Sequence, residues 1–305
     1  MRAILFSLAI LTVGPLKAES GTLFIVGGGL SSDNAEIYRA FIESTKGGSI
    51  AIIPSASAKP QASHDAFAAN LVRYGVELSR IVQVKLAEVD DPETPVDEST
   101  WAVNGSNAEE IAKVQAASAI WFTGGDQART VRLLGTAPDD SPMLAAIWRR
   151  LTSGAVIGGI SAGAAIMGDV MILCGDPARA MTDPVSFAAT DCTATEGAAE
   201  LLVLANGLGF LPLHVVDQHF SERGRLPRLV RAVACGPAPG IGIDEDTALV
   251  LDRENWGAKV IGKGSVTTVE RPALSDCKRR RTLPMSIRQY GTGDTIQDLM
   301  TEIFK

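Results

Sequence analysis

Short apolar runs rich in β-branched residues alternate with longer amphipathic stretches through the first half of the chain. Five of these runs have the length and composition of buried strands. The predicted strands are residues 22–26, 49–53, 80–85, 119–122 and 155–158. The predicted helices, which repeat apolar positions at helical spacing, are residues 32–44, 61–74, 107–115 and 143–151. This alternation predicts an α/β fold with a mostly parallel sheet and helices on both faces.

The second half of the chain has a different pattern. Residues 215–220 predict a short strand that ends in polar groups, and residues 240–251 and 259–270 predict a β-hairpin or two paired edge strands. Residues 169–195 form a long polar insert, and a loop of that length commonly carries function. Neither an internal repeat nor a flexible linker divides the chain, so a single domain over residues 19–305 is expected.

The last predicted strand of the first half runs directly into a Gly-x-Ser-x-Gly turn and an alanine-rich helix. This turn has the pattern of a nucleophile elbow, in which a serine projects from a tight and strained backbone. Gly159 and Gly163 remove the side chains that would collide with the neighbouring strand or helix. Ser161 is therefore the candidate nucleophile for acyl transfer. The amide of Ala162, at a helix N-terminus, is a candidate oxyanion donor.

A serine hydroxyl needs a base within hydrogen-bond reach, and the chain has three histidines. His64 lies in an amphipathic helix pattern, where exposure to solvent is expected. His214 and His219 lie at opposite ends of a predicted strand, where an extended chain points them to opposite faces. Sites in open α/β sheets lie at the carboxyl ends of strands, which favours His219 over His214 as the base.

The sequence offers several candidates for the acid that orients this histidine. Asp244, Glu245 and Asp246 stand in an otherwise apolar predicted strand. Burying charge there is costly unless each group has a partner, and a histidine that becomes cationic is such a partner. Period-two alternation separates Glu245 from its two neighbours. Glu245 is therefore the favoured acid, with Glu196 and Asp217 as competitors.

A glycine-rich turn follows the strand predicted at residues 119–122. Its glycines would let a backbone amide approach a reacting carbonyl, so Gly125 is a candidate for the second oxyanion donor. Gln127 could then orient substrate from the following helix. An ordinary glycine-rich turn is an equally good interpretation of this pattern.

Two further features surround the candidate site. Arg223, Arg225 and Arg228 follow His219 closely, and three guanidiniums beside a base would bind carboxylates through paired hydrogen bonds. They suggest an acidic peptide substrate, although a solvated helix start also fits. The glycine triplet at residues 27–29 lacks the Gly-x-Gly-x-x-Gly pattern and favours a tight turn beside the site over a dinucleotide site.

The composition and the N-terminal residues limit the classes to which the protein can belong. The 305 residues are 46% hydrophobic and 21% charged, with a formal net charge of -7, which indicates a well-cored globular protein and argues against a nucleic-acid partner. Residues 1–18 have the charged start, apolar stretch and small-residue exit of a signal peptide, with cleavage expected after Ala18. We therefore expect export to the periplasm or the extracellular space. The apolar stretch is too short to span a bilayer, so no stable membrane insertion is expected.

The cysteines are even in number, as in proteins of oxidising compartments. Of the three possible pairings, Cys174 with Cys192 is favoured, because it would staple the polar insert. Cys235 with Cys277 follows more weakly. None has metal-site spacing, so no zinc site is assigned.

Four motifs in order resemble the cyanophycinase group of serine peptidase family S51, which also contains aspartyl dipeptidase E. They are Phe-Thr-Gly-Gly-Asp-Gln at 122–127, Gly-Ile-Ser-Ala-Gly-Ala at 159–164, Asp-Gln-His-Phe at 217–220 with the arginine triplet, and Gly-Ile-Gly-Ile-Asp-Glu at 240–245. The resemblance implies a class I glutamine-amidotransferase-like, flavodoxin-like fold, a homodimer, and a triad of Ser161, His219 and Glu245. It also implies substrate-pocket positions at Gln127, Asp217, Gln218, Arg223, Arg225 and Arg228.

The activity implied by this resemblance is hydrolysis of cyanophycin, a polyaspartate with arginine side groups, to β-Asp-Arg dipeptides without a metal or organic cofactor. In that hypothesis the arginines bind aspartyl carboxylates, and acids such as Asp217 bind the arginine side groups. An aspartyl or isoaspartyl dipeptidase of the same family is the alternative enzyme. A secreted binding protein without catalysis is the alternative from another class.

Overall fold

The computed structural model describes residues 21–182, 184–187, 192, 201–271, 285–297 and 299–302. In chain order, its strands are β1 (Thr22–Val26), β2 (Ile50–Ile53), β3 (Ile81–Gln83), β4 (Ala119–Phe122), β5 (Val156–Ile160), β6 (Gly168–Cys174), β7 (Val185–Phe187), β8 (Leu202–Asn206), β9 (Leu211–Gln218), β10 (Gly240–Ile243), β11 (Thr247–Asp252), β12 (Ala258–Gly262), β13 (Ser265–Glu270), β14 (Ser286–Gly291) and β15 (Thr295–Ile296). Its helices are α1 (Ala35–Ser44), α2 (Pro60–Arg73), α3 (Ala108–Ala116), α4 (Gln127–Leu134), α5 (Pro142–Thr152), α6 (Ala162–Ala165), α7 (Leu226–Cys235) and α8 (Leu299–Glu302).

Local chemistry explains where the predicted elements begin and end. All five strands and four helices predicted in the first half are present, with ends shifted by up to three residues. The helix predicted from residue 32 begins at Ala35, because the side chain of Asn34 accepts a hydrogen bond from the Ile37 amide and caps the helix. Strand β5 runs on to Ile160, because its last residues pair with β1.

The first sheet has eight strands in the order β15-β12-β11-β1-β5-β4-β2-β3. Strands β1, β5, β4, β2 and β3 run parallel to their neighbours in this group, whereas β11, β12 and β15 add an antiparallel edge. The predicted α/β class is confirmed. The carboxyl ends of β1, β4 and β5 meet at one edge of this sheet, which places the turns that follow them side by side.

A second sheet of seven strands, in the order β14-β13-β10-β9-β6-β8-β7, was not evident in the sequence pattern. The two segments predicted as a hairpin or paired edge strands contain four strands in nested pairs. The inner pair, β11 and β12, belongs to the first sheet, and the outer pair, β10 and β13, belongs to the second. Residues 244–246 therefore form a turn that crosses from one sheet to the other, instead of continuing a strand.

The core lies on both faces of the first sheet. In β1, Leu23 and Ile25 pack into a cluster shared with α3, α4, α5 and the second sheet. Phe24 and Val26 point the other way and pack against α1 and α2. All four are at most 1% exposed, and full burial of such side chains stabilises the fold by about 1.5–3 kcal/mol each. This alternation confirms helices on both faces.

Helix α7 covers the far face of the second sheet. Its apolar residues Leu229, Ala232 and Val233 pack against strand residues that include Val215. A side chain at Gly240 would collide with Leu229 and Val233, so glycine in β10 allows the helix to approach the sheet closely.

The favoured disulfide is present between Cys174, at the end of β6, and Cys192, with a Cα–Cα distance of 6.3 Å. The prediction of a long loop at residues 169–195 is wrong in part, because this insert contains β6 and β7 of the second sheet. Residues 1–18, Glu196 and Cys277 lie outside the described residues, so the signal peptide, the alternative acid and the second cysteine pair stay predictions.

Candidate active site

Ser161 lies on the tight turn between β5 and α6, with a φ of 54°. Few non-glycine residues adopt this conformation, which costs on the order of 1–3 kcal/mol. A side chain at Gly159 would collide with Gly163, and one at Gly163 would lie 2.5 Å from the Phe122 carbonyl oxygen. Both glycines are therefore required for the reason that the elbow pattern indicates.

His219 follows directly after β9 and also has a positive φ, of 46°. Its Nε2 lies 2.8 Å from the Ser161 hydroxyl oxygen, and its Nδ1 bonds to Oε1 of Glu245. Because a carboxylate only accepts hydrogen bonds, the ring proton belongs on Nδ1. Nε2 is then free to accept the serine proton. The three residues that the sequence favoured thus form one chain of contacts from carboxylate to hydroxyl.

Glu245 lies in the turn between β10 and β11, and its side chain is 36% exposed. Its backbone amide donates a hydrogen bond to Oε2 of Glu222, at 3.1 Å. The competing acid Asp217 is 1% exposed and pairs with arginines instead of His219. His214, within β9, is buried, and its ring bonds to the Pro212 carbonyl. Burial lowers the pKa of its imidazole to about 4.

Three consecutive carbonyls at the end of β1 hold the backbone of this site. The amide of Ser161 donates to the Val26 carbonyl at 3.0 Å, and the amide of His219 donates to the Gly27 carbonyl at 2.6 Å. The amide of Asp246, next to Glu245, donates to the Gly28 carbonyl at 2.9 Å. One short segment therefore fixes the main chain at or beside each member of the chain of contacts.

The glycine triplet has no room for side chains. A Cβ at Gly28 would lie within 2.7 Å of three ring atoms of His219, and one at Gly29 would lie 2.5 Å from Oε2 of Glu245. A Cβ at Gly27 would collide with the carbonyls of residues 243 and 244. The triplet is a tight turn directly beside the site, as the pattern favoured.

The surroundings of His219 favour its neutral form. Burial lowers the pKa of its imidazole, and the positive charges of Arg223 and Arg225 lower it further, whereas the hydrogen bond and negative charge of Glu245 act in the opposite direction. A lowered pKa keeps the imidazole unprotonated at neutral pH. It can therefore accept a proton from Ser161.

The turn after β4 packs against the serine. A Cβ at Gly124 would lie 3.3 Å from the Cβ of Ser161, and Gly125 has a φ of 142°, which glycine adopts readily. Ala162 is the first residue of α6, where backbone N–H groups lack helical acceptors. Gly125 thus follows the glycine that packs against Ser161, and Ala162 follows Ser161 itself; the oxyanion role of both amides stays a prediction.

Some of the predicted substrate residues lie beside Ser161 and His219, and the others bond to groups of their own chain. Gln218 is adjacent to Ser161, with its Oε1 3.5 Å from the Ser161 hydroxyl. Arg223 is exposed, and its amide donates to the His219 carbonyl. Gln127 instead donates its side-chain amide to the carbonyls of Ile172 and Leu173, both at 2.8 Å, and so joins α4 to β6.

Asp217, Arg225 and Arg228 form a buried ionic network. Nε and Nη2 of Arg228 donate to the two carboxylate oxygens of Asp217 at 2.7 and 2.5 Å, and Nη1 of Arg225 lies 3.4 Å from the same carboxylate. Arg228 also donates to the Gly175 carbonyl. Burial and the charge of Arg228 lower the pKa of Arg225 to about 10, so it stays cationic at neutral pH.

This network occupies Asp217, for which the sequence predicts pairing with an arginine side group of the substrate. Asp217 is 1% exposed, and its carboxylate already bonds to two arginines of its own chain. Arg228 is likewise occupied and 6% exposed. Asp217 and Arg228 thus bond to each other, and the substrate role of both stays a prediction.

The family follows from comparison with known proteins. A model of peptidase family S51 matches residues 23–258. The chain belongs to peptidase family S51. It is 36% identical over 232 residues to a cyanophycinase of Geminocystis herdmanii strain PCC 6308, across 74% of this chain and 71% of that protein. It is 32% identical over 269 residues to a cyanophycinase of Trichormus variabilis, across 86% of this chain and 77% of that protein.

A solved structure supports the fold of this S51 peptidase. The crystal structure of a peptidase from an acI-B1 Actinobacterium has a TM-score of 0.61 at 19% identity, over 92% of this chain and 98% of that one. The family resemblance inferred from the four motifs is confirmed, and the S51 peptidase is a serine peptidase hydrolase.

Two acidic residues of this S51 peptidase have roles that the sequence did not indicate. Asp244 accepts hydrogen bonds from the amides of Ser221 and Ser265 and so ties the turn after His219 to β13. Asp246 bonds to the loop between β1 and α1. The run of three acids was the available signal, but period-two alternation could not assign different partners to residues in a turn.

The described part of the S51 peptidase lacks both a clustered metal site and a membrane-spanning helix. Within it, no group of three or more histidine, cysteine or acidic side chains has the arrangement of a metal site. None of its helices there combines the length and apolar character needed to cross a membrane.

Proposed function

We propose that this S51 peptidase hydrolyses cyanophycin to β-Asp-Arg dipeptides through a Ser161-His219-Glu245 triad. The observation that carries the proposal is the chain of contacts from Oε1 of Glu245 through the His219 ring to the Ser161 hydroxyl. Its support comes from the relatives, which are cyanophycinases at 32–36% identity over most of the chain.

The proposed reaction begins when Nε2 of His219 accepts the Ser161 proton and the serine oxygen bonds to the scissile carbonyl carbon. Amides of Ala162 and Gly125 would stabilise the oxyanion. The carbon–nitrogen bond then breaks, and the leaving amine takes the proton from His219. Water, deprotonated by the same imidazole, hydrolyses the ester and returns Ser161 to its hydroxyl form. Glu245 holds the ring and stabilises the imidazolium in both halves of the reaction.

Substrate recognition in this proposal rests on the groups that remain accessible. Arg223 is exposed beside His219, where its guanidinium could bind an aspartyl carboxylate of the polymer. Gln218 would contact the residue next to the scissile bond. Arg225 and Arg228 act indirectly, because both bond to Asp217 below this surface.

The test is incubation of the purified protein and its Ser161→Ala variant with insoluble cyanophycin, followed by mass spectrometry of the soluble products. We expect β-Asp-Arg from the parent and at least a 10⁴-fold lower rate from the variant, on the order of the loss seen when a triad nucleophile is removed. Both proteins should have the same melting temperature, because the alanine leaves the core unchanged.

Other outcomes select the alternatives. Activity on aspartyl or isoaspartyl dipeptides without release from the polymer would assign the S51 peptidase to dipeptide hydrolysis. Binding of the polymer with no turnover of any aspartyl peptide would leave a secreted binding protein. Equal product release by parent and variant would exclude Ser161 as the nucleophile.

Export and dimerisation belong to the same proposal. The Cys174–Cys192 disulfide supports an oxidising compartment, where such bonds persist. N-terminal sequencing of the protein recovered from the periplasm or the medium should begin at Glu19, and an intact N-terminus in the cytoplasm would contradict export.

Sedimentation equilibrium should give twice the mass of one mature chain, and a single-chain mass would contradict the homodimer.

A further inference from the structure

Asp246 follows Glu245 in the turn between the two sheets, and its backbone has a φ of 54°. Besides its amide bond to the Gly28 carbonyl, its own carbonyl accepts two hydrogen bonds. One comes from the Lys263 amide and the other from the side-chain amide of Asn34, both at 2.9 Å. The main chain next to Glu245 is thus fixed to two other segments.

The carboxylate of Asp246 bonds to the same two segments as its backbone carbonyl. Its Oδ1 accepts hydrogen bonds from the Ser31 amide at 2.7 Å and the Asn34 side chain at 3.0 Å. Its Oδ2 accepts from Nζ of Lys263 at 2.8 Å. Burial acts to raise the pKa of Asp246, but hydrogen bonds from Lys263, Asn34 and Ser31 hold it below its usual value. The group is therefore a charged acceptor at neutral pH.

These contacts surround the place where Glu245 touches the glycine turn. Oε2 of Glu245 lies over Gly29, with no space for a side chain between them. Asp246 bonds to Ser31 and Asn34, which follow the glycine turn in the chain. These bonds close a ring of contacts around the carboxylate of Glu245. Outside that ring, the Glu245 amide bonds to the exposed side chain of Glu222.

We propose that Asp246 is a positioning residue of the triad, which holds the carboxylate of Glu245 against His219 by fastening its turn to the loop between β1 and α1. The proposal rests on the Ser161-His219-Glu245 triad of the proposed function. The bonds to Ser31 and Asn34 carry this role, because they are partly buried. The ion pair with Lys263 contributes little, since the Lys263 side chain is 59% exposed.

Two substitutions of Asp246 separate its role as a hydrogen-bond acceptor from its negative charge. Asp246→Gly removes the carboxylate, and glycine accepts the positive φ without the strain that alanine would add. Asp246→Asn keeps an oxygen for Ser31 and Asn34 but removes the charge, and asparagine also tolerates this conformation. Lys263→Ala is the matched control, because it removes the ion pair and leaves the carboxylate in place.

For Asp246→Gly we expect kcat and kcat/KM to fall together, on the order of 10²-fold, as for a displacement of about 1 Å in a catalytic group. The hydrogen bond that Nδ1 of His219 donates to Glu245 raises the pKa of His219, so its loss should move the acid limb of the pH profile to lower pH. Asp246→Asn and Lys263→Ala should both keep the parent rate and profile. A purely structural role would not move the acid limb.

Two readouts do not depend on the substrate. The far-downfield proton resonance of His219 Nδ1 reports its bond to Glu245, and the rate of Ser161 labelling by a fluorophosphonate reports the activated hydroxyl. Both should be lost or reduced in Asp246→Gly and kept in Asp246→Asn. If the parent releases nothing from cyanophycin, the proposed substrate fails, while these two measurements still test the positioning role.

The proposal is overturned if folded Asp246→Gly keeps the parent resonance, labelling rate and acid limb. It is also overturned if Asp246→Asn is as impaired as Asp246→Gly, or if Lys263→Ala reproduces the loss. Should Asp246→Gly not fold, Asn34→Ser replaces it, because serine still caps α1 but its single hydroxyl cannot replace the two hydrogen bonds that the amide donates to Asp246. That variant should shift the acid limb in the same direction, and an unchanged limb overturns the proposal.

Discussion

A methyl group at Gly28 should separate catalysis from folding. The Cβ of Gly28→Ala would lie within 2.7 Å of Cε1, Nε2 and Nδ1 of His219. The closest of these atoms, Cε1, would be 2.3 Å away, whereas ordinary contacts between non-bonded atoms begin near about 3.5 Å, so the ring must move by about 1.2 Å. The Val26, Gly27 and Gly28 carbonyls hold the surrounding main chain, which leaves the imidazole as the group that moves.

The expected loss of activity is large, because His219 touches both Ser161 and Glu245. Displacing a catalytic group by about 1 Å costs on the order of 10²-fold in rate. Alanine at the φ of 120° also strains the backbone, by about 1–3 kcal/mol in the free energy of unfolding. The strain alone would lower stability without moving the imidazole, so the two effects need separate measurements.

Gly75→Ala is the matched control for that strain. Gly75 has a φ of 94°, and a Cβ there would meet nothing within 4 Å. Both variants should lose comparable stability in urea denaturation, whereas only Gly28→Ala should lose peptidase activity and fluorophosphonate labelling of Ser161. If Gly28→Ala labels and hydrolyses as fast as Gly75→Ala, the glycine turn does not set the position of His219.

Two further predictions concern charge. Arg223→Ala removes a positive charge that lowers the pKa of His219, so the acid limb of kcat/KM should move to higher pH. The control is Arg39→Ala, which removes an exposed arginine elsewhere. An acid limb at the same pH in both variants would contradict this electrostatic effect. Asp217→Asn leaves Arg228 buried without its counter-charge, so the free energy of unfolding should fall by about 3–5 kcal/mol in urea denaturation, and an unchanged midpoint would show that the network adds nothing.

The parts of the site that the sequence predicted are those with local signatures. The elbow was evident because both glycines and the preceding strand lie within a few residues of Ser161. His219 could be chosen from three histidines because the carboxyl end of a strand is where such sheets place their chemistry. Glu245 was favoured by alternation in a strand, although the residue lies in a turn.

The remaining features depend on contacts between distant segments. Nothing local shows that β10 and β11, separated by three residues, belong to different sheets. For the same reason, the sequence does not show that Arg228 folds back over Asp217 from α7. Charged residues near a catalytic base have the same pattern whether they face substrate or one another.

The three carbonyls at the end of β1 also have a consequence for folding. They accept hydrogen bonds from segments near the middle of the chain and far towards its C-terminus, at residues 161, 219 and 246. Such contacts have high contact order, and they form late because the intervening chain must first be closed into loops. A growing polypeptide therefore cannot complete the proposed Ser161-His219-Glu245 triad until β11 pairs with β1, so partly made chains would be inert as proteases.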